Sequence, residues 1–375
     1  MSNQTDKPVT YWDYLKLDRL LELQDGLGTH DDDLLEDELH FIITHQVFEL
    51  WFKLILRETR MARDRMAVPR VAEEVIPMVV HHLKRVNTVL GLAVKQFDVM
   101  ETLTPQDFLE FRSKLGTASG FQSFQMRELE LLLGLEPTER KAHGHGNPIE
   151  YILKTAGTSQ TGKGIIARLE KAKEGPSLRD VIHQWLYRTP IQGSNPGTPG
   201  DENVARSFLN NYLAAMKRQN EYQIKQLLAD GDGGNEKEIR RKFEAVTAQS
   251  EQFLSAQDIE TTDRKRISRI RVGVLFIESY RELPLLSWPR LLLDTLVELE
   301  EQFIAFRFRH ARMVERIIGR RVGTGGSPGV DYLDTTTKYR IFKELWAVRT
   351  LLLPRNFLPE LEKPGVFGFS TGAPG

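Results

Sequence analysis

The 375-residue sequence contains no cysteine. That absence removes disulfides, thiolate nucleophiles, iron–sulfur clusters, Cys-ligated zinc and covalently attached c-type haem together. Any metal must then be held by histidine or carboxylate. A charge bias is missing too: 51 Lys and Arg stand against 52 Asp and Glu, a net charge of -1, so no global field draws in nucleic acid or anionic lipid. No uninterrupted apolar run approaches the roughly 18 residues of a membrane span. The N-terminus, MSNQTDKPVT, has no basic flank followed by an apolar core. These absences predict a soluble, cytoplasmic protein. Runs of alternating residues bounded by turn signals are also lacking, which predicts an all-α fold. With 40% apolar and 27% charged residues, the composition is that of an ordinary globular chain.

What is present is helical periodicity. From Glu38 to about Met66 apolar residues recur at three- and four-residue steps (Phe41, Phe48, Phe52, Ile55), and the far end turns charged. A second helix is predicted from Glu73 to about Glu101, with Pro77 in its early turns. Thr104, Pro105 and Asp107 form a start signal of hydroxyl cap, proline and acid, so a short helix should follow to about Leu115. GTASG (116–120) breaks the pattern, and a further helix should run from Phe121 to about Leu133. Regularity weakens over 137–203, which reads as an insertion or lid, and PIQGSNPGTPG (190–200) is loop by composition. Helices resume at 204–229, 236–254 and 263–282. The longest is expected over 289–318, closed by Gly319. A last one is expected over 335–352, and residues 364–375 read as a frayed tail. With no internal repeat and no linker, residues 1–363 are most economically one helical domain.

Among nine histidines most carry no pattern. His143 and His145 sit in a glycine-rich loop without a third ligand at a recognised spacing. His-Glu-x-x-His and Glu-x-x-His are absent, which sets aside zincin and di-iron bundle sites. His81 and His82 are adjacent, about 100° apart on a helix, and cannot serve one site. His45 and His310 differ, because each lies on an apolar helical face. His45 follows Phe41 by four residues and precedes Phe48 by three; His310 follows Phe306 by four and precedes Val314 by four. Taken singly, each is readable as a core histidine with a satisfied hydrogen bond. Taken together, they match the need of a b-type haem for a neutral imidazole walled by apolar side chains. Arg112, four residues after Phe108, is readable as a structural ion pair or as a bidentate carboxylate clamp. The loop of Gly323, Thr324, Gly325 and Gly326 could present amides and a hydroxyl to an anion, but it follows no strand and is not a dinucleotide motif.

The runs FIITHQVFELWFK (41–53), DFLEFR (107–112) with ASGFQSFQ (118–125), and GTGGS (323–327) resemble, in order and separation, the tryptophan 2,3-dioxygenase family. The likeness covers about residues 11–135 and 268–360. It implies a homotetrameric helical enzyme of the haem dioxygenase type, with non-covalent haem b working as Fe(II). The implied reaction opens the indole pyrrole ring of L-tryptophan with dioxygen to give N-formylkynurenine, the first step of the kynurenine pathway. Carried over by position, His310 is similar to the axial iron ligand and His45 to the distal histidine that accepts the indole N–H. Arg112 resembles the arginine that pairs with the substrate carboxylate, and Thr324 the residue meeting its ammonium and carboxylate. Phe41, Phe108 and Leu115 would pack the indole, Phe108 standing where some members carry tyrosine. Ser119, Gly120 and Arg127 match positions at the haem edge and propionates. Tyr11, in YWDYL, resembles a tyrosine that reaches a neighbouring subunit's pocket. Pro328, Gly329, Val330 and Asp331 depart from the Ser-Gly-Tyr that many members carry after GTGGS. A haem-dependent monooxygenase acting on a substituted indole or another aromatic amino acid is the nearest rival. A non-catalytic haem protein and a helical scaffold with merely buried histidines are the others.

Overall fold

The computed structural model describes residues 8–28, 30–135, 148–229, 235–260, 262–321 and 329–369, and among these no strand occurs. The all-α expectation is met. A short N-terminal segment, α1 (Tyr11–Leu15) and α2 (Leu17–Leu20), precedes the long α3 (Glu36–Met66) and α4 (Ile76–Met100). Next come α5 (Pro105–Phe111), α6 (Phe124–Leu133), α7 (Pro148–Thr155), α8 (Gln160–Lys173) and α9 (Leu178–Tyr187). The second half comprises α10 (Asp201–Ala229), α11 (Glu236–Leu254), α12 (Arg264–Ser279), α13 (Ser287–Ile318), α14 (Val330–Thr336) and α15 (Lys343–Arg349).

Local chemistry explains the ends of these helices. Helix α3 opens on Glu36, Asp37 and Glu38 and closes on Arg63 and Arg65, complementing the dipole at both termini. Pro77 falls in the first turn of α4, where no N–H is needed. The Thr104 hydroxyl accepts from Asp107 N (3.3 Å) to cap α5, and Ser123 caps α6 by accepting from Met126 N (3.4 Å). Gly319 ends α13 at φ 62°, a left-handed turn that a side chain would strain.

Helix α4 lies between α3 and α13 and packs along both over most of its length. Ile55, Leu83, Leu90, Ala93, Leu292, Leu293 and Leu296 are wholly buried in that layer. By length and composition one stretch of α3 would pass for a membrane span; one side of this helix packs against α4, α5, α6 and α9. Helix α12 forms a second centre, buried from Arg269 to Ser279 and surrounded by α9, α10, α11 and α15. Its approach to α9 is close: a Cβ on Gly273 would stand 2.9 Å from Leu186 O.

The stretch 137–203 differs from its weak pattern. Its described residues form α7, α8 and α9, with α8 on α6 and α9 on α3 and α12. These helices are short with one narrow buried stripe each, so periodicity is diluted in any long window. Loop 190–200 is held from the core, because the buried Arg269 donates to Thr189 O (3.0 Å), Ser194 O (3.2 Å) and Asp201 (3.1 Å). The single helix expected over 335–352 is two, α14 and α15, separated at 337–342. The cause is Glu300 on α13. Its carboxylate takes the backbone N–H of Ile341 and the indole N–H of Trp346 (2.5 Å), drawing the chain out of helical geometry between them. Phe367, within the segment read as a tail, is buried against Phe276 (5.3 Å).

Glu300→Ala should therefore lower stability by about 2–4 kcal/mol, since two buried donors lose their acceptor. Urea unfolding followed by circular dichroism measures it; an unchanged midpoint would mean that the connection between α14 and α15 is held by packing alone.

Candidate functional site

The face of α3 that bears Phe41, His45, Phe48 and Phe52 meets α13, α5 and the 119–124 turn around a cavity of about 530 Å³. That size falls within the range of about 300–1,000 Å³ usual for small-molecule sites. His310, Phe306, Met313 and Ile317 enter from α13, and Phe108, Arg112 and Leu115 from α5 and the 3₁₀ turn that follows it. The walls are largely aromatic. Phe41 contacts the His45 ring (4.1 Å between centroids) and Phe108 (5.8 Å), while Phe97 stacks on His310 (5.8 Å, 13° between planes). Phe48 bridges the two groups, at 6.5 Å from His45 and 4.9 Å from Phe97.

The two imidazoles are set differently. Nδ1 of His45 donates to Phe41 O at 2.8 Å. A carbonyl only accepts, so Nδ1 carries the proton and Nε2 of the neutral ring keeps its lone pair. His310 makes no hydrogen bond among the described residues. Both rings face the cavity, removed from bulk water. Burial lowers the His45 pKa against the opposing pull of the Phe41 carbonyl and Glu49. Burial first, then the charges of His45 and Arg127, push His310 down to about 4. Both are neutral at pH 7.

Because these pKa values lie below the ordinary histidine value, the unfolded chain binds more protons than the folded one between about pH 6.5 and 4. The stabilisation is complete above that window and is lost as pH falls through it. Unfolding of the ligand-free protein at several pH values should show this slope, and His310→Phe should flatten it. An equal slope in both proteins would assign it to other groups.

At one end of the cavity two buried guanidinium groups share one buried carboxylate. Glu130 accepts from Arg127 NH1 (3.0 Å) through one oxygen and from Arg307 NH2 (3.2 Å) through the other. Arg307 lies over the Phe303 and Tyr339 rings. The buried Nε of Arg127 has no acceptor. Among the described residues this cluster holds two cations against one anion, an arrangement that favours an anionic ligand group.

The structure brings nine of the expected residues to one cavity: Phe41, His45, Phe108, Arg112, Leu115, Ser119, Gly120, Arg127 and His310. Tyr11 does not reach it; it lies on α1, 71% exposed beside exposed Trp12 and Tyr14. Thr324, the GTGGS loop, Pro328, His143 and His145 lie outside the described residues. His82 shows the bland histidine role, with Nδ1 held by Glu58 at 2.7 Å inside the core. Sequence reasoning missed Glu49, Glu130 and Arg307 as wall residues. Spacing offered a signal for two of them, since Glu130 follows Arg127 by three and Arg307 precedes His310 by three.

Among the described residues, then, an all-helical scaffold sets two neutral imidazoles, an arginine and largely aromatic walls around one cavity. A sequence model of the tryptophan 2,3-dioxygenase family matches residues 2–352. The tryptophan 2,3-dioxygenase of Sorangium cellulosum is 43% identical over 375 residues, covering 98% of this chain and 89% of that protein. Tryptophan 2,3-dioxygenase 2 of Ralstonia nicotianae is 42% identical over 98% of this chain and 99% of its own length. The Dictyostelium discoideum tryptophan 2,3-dioxygenase is 32% identical over 96% and 88%. The chain belongs to the tryptophan 2,3-dioxygenase family.

Proposed function

We propose that the protein is a haem-dependent dioxygenase that opens the pyrrole ring of L-tryptophan with O2 to give N-formylkynurenine. The observation that carries this is the convergence of His45 and His310, far apart in sequence, on one aromatic cavity that Arg112 also lines.

The residues fit non-covalent haem b. His310 offers a neutral imidazole with no competing hydrogen bond among the described residues. Phe97, Phe306, Met313 and Ile317 suit the macrocycle's apolar faces, and the Arg127–Glu130–Arg307 cluster suits its carboxylates. When bound as Fe(II), the haem supplies activation of dioxygen. The rest is the work of the chain. Nε2 of His45 accepts the indole N–H and so sets the rotation of the ring in its plane. Phe41, Phe108 and Leu115 hold its faces and exclude water. Arg112 clamps the substrate carboxylate with two parallel N–H donors, and Thr324 is assigned to the ammonium and carboxylate. No strong general base is needed, because the electron-rich indole is itself the reductant.

Ser119 and Gly120 sit at the cavity edge in the turn before α6. Exposed Tyr11, Trp12 and Tyr14 support a homotetramer in which Tyr11 completes a neighbouring subunit's pocket. One cluster of buried apolar side chains running from Phe48 to Phe367 supports a single domain. We place it in the cytoplasm, as a soluble enzyme of tryptophan breakdown. The test is incubation of the haem-loaded protein with L-tryptophan, ascorbate and ¹⁸O₂. Two labelled atoms in the product are expected; a single labelled atom would make it a monooxygenase, and no consumption would refute the reading.

A further inference from the structure

Glu49 stands one turn beyond His45 on α3 and lines the same cavity. A carboxylate in a largely aromatic wall carries a desolvation cost unless its lone pairs are taken up. Here two neutral donors take them. Ser123 Oγ donates to one carboxylate oxygen (2.7 Å) and Gln125 Nε2 to the other (2.8 Å). Gln125 Nε2 also lies 2.8 Å from the backbone carbonyl of Glu49. Among the described residues Glu49 has no ion pair.

Ser123 ends the turn that lines the cavity and Gln125 lies in the first turn of α6, which follows it. Ser123 ends the 3₁₀ turn Gly120–Gln122, accepts from Met126 N to begin α6, and donates its single hydroxyl proton to Glu49. Within that turn the backbone bonds Gln122 N to Ser119 O (2.8 Å) and Ser123 N to Gly120 O (3.2 Å) close the 3₁₀ geometry, while the side-chain bonds Ser119 N to Gln122 Oε1 and Phe121 N to Ser119 Oγ are long at 3.4 Å. Ser119, Gly120, Phe121 and Gln122 all face the cavity. Glu49 is thus the α3 side chain that takes up both Ser123 and Gln125, beside the Gln125 bond to its backbone carbonyl, and it lies one helical turn from the imidazole assigned to the substrate.

We propose that Glu49 is a positioning residue, which locks the Ser119–Gln125 turn against the helix that bears His45 and thereby sets the shape of the aromatic substrate's cavity. The inference rests on the tryptophan reading for its consequence, but the brace can be measured without substrate. In Glu49→Gln, backbone amides of residues 120–126 are expected to exchange with deuterium at least about tenfold faster, with distant helices unchanged. In turnover, Glu49→Gln and Ser123→Ala should each raise KM for tryptophan about three- to tenfold and leave kcat within about twofold, since substrate binding is what loosens. The double variant Glu49→Ala, Ser123→Ala should be no worse than Glu49→Ala, because without the carboxylate the Ser123 hydroxyl has no acceptor there to lose. Should Glu49→Gln not fold, Ser123→Ala alone decides by the same two readouts. Unchanged exchange in the turn, wild-type KM in a folded variant, or effects that multiply in the double variant would each overturn the proposal. A wild-type protein inert toward tryptophan sinks the functional reading instead, whatever the exchange data show.

Discussion

Replacing His310 with alanine is expected to yield a folded protein that retains little haem and does not consume tryptophan. The imidazole sits on the long α13, with Phe97 stacked on it and Phe306 one turn away, and burial keeps it neutral with a pKa of about 4. It is therefore a ready ligand that needs no deprotonation at pH 7. Weakening the groups that merely orient a metal-bound histidine costs about 10- to 100-fold in metal affinity, and removal of the ligand itself costs more. The measurement is the Soret band and pyridine haemochrome content per chain after haem-supplemented expression. His310→Ala with stoichiometric haem and full activity would contradict the assignment. His45→Ala is the contrast. It should keep haem and lose turnover more mildly, because the role proposed for Nε2 of His45 is an orienting hydrogen bond and not a bond to iron.

Arg112→Ala should give the second large effect. Arg112 is half-buried at the cavity, just after α5, where the chain tightens into a 3₁₀ turn. Removing one partner of a desolvated charge pair costs about 2–5 kcal/mol, or roughly 30-fold to a few thousandfold in kcat/KM. Most of that loss should fall on KM, since the carboxylate clamp proposed for Arg112 would act equally before and during the reaction. Arg112→Lys should recover only part of it, because an ammonium lacks the planar two-donor fork. Steady-state kinetics with L-tryptophan and with tryptamine, which has no carboxylate, provide the check. Wild-type Arg112 should prefer tryptophan strongly and Arg112→Ala should not; an undiminished preference would remove Arg112 from the carboxylate site.

The elements were legible where chemistry is local. Thr104, Pro105 and Asp107 announced α5, Glu236–Leu254 was readable to the residue, and Gly319 marked the end of α13. Legibility failed where a distant group overrode local preference. The break between α14 and α15 is imposed by Glu300, some forty residues earlier in the chain, and no window centred on 335–352 contains it. Loop 190–200 has loop composition, yet it is fastened by Arg269 from α12. The candidate site followed the same rule. His45 and His310 stood out by their apolar helical faces, whereas Glu49 read as an ordinary helix-surface acid until Ser123 and Gln125 closed on it.

By itself, then, the sequence determined the helical class, most helix limits and, through its long motifs, the family. Capping, periodicity and short runs of residues act within one or two turns and need no knowledge of what lies opposite. Only the tertiary structure decided that α3, α4 and α13 pack side by side, bringing Phe41, His45, Phe97 and His310 around one cavity, and that two arginines there share a single glutamate. Burial of apolar helix faces drives that convergence. Hydrophobic attraction is proportional to area and carries no label for a partner, so which faces meet is settled only when the whole core is packed.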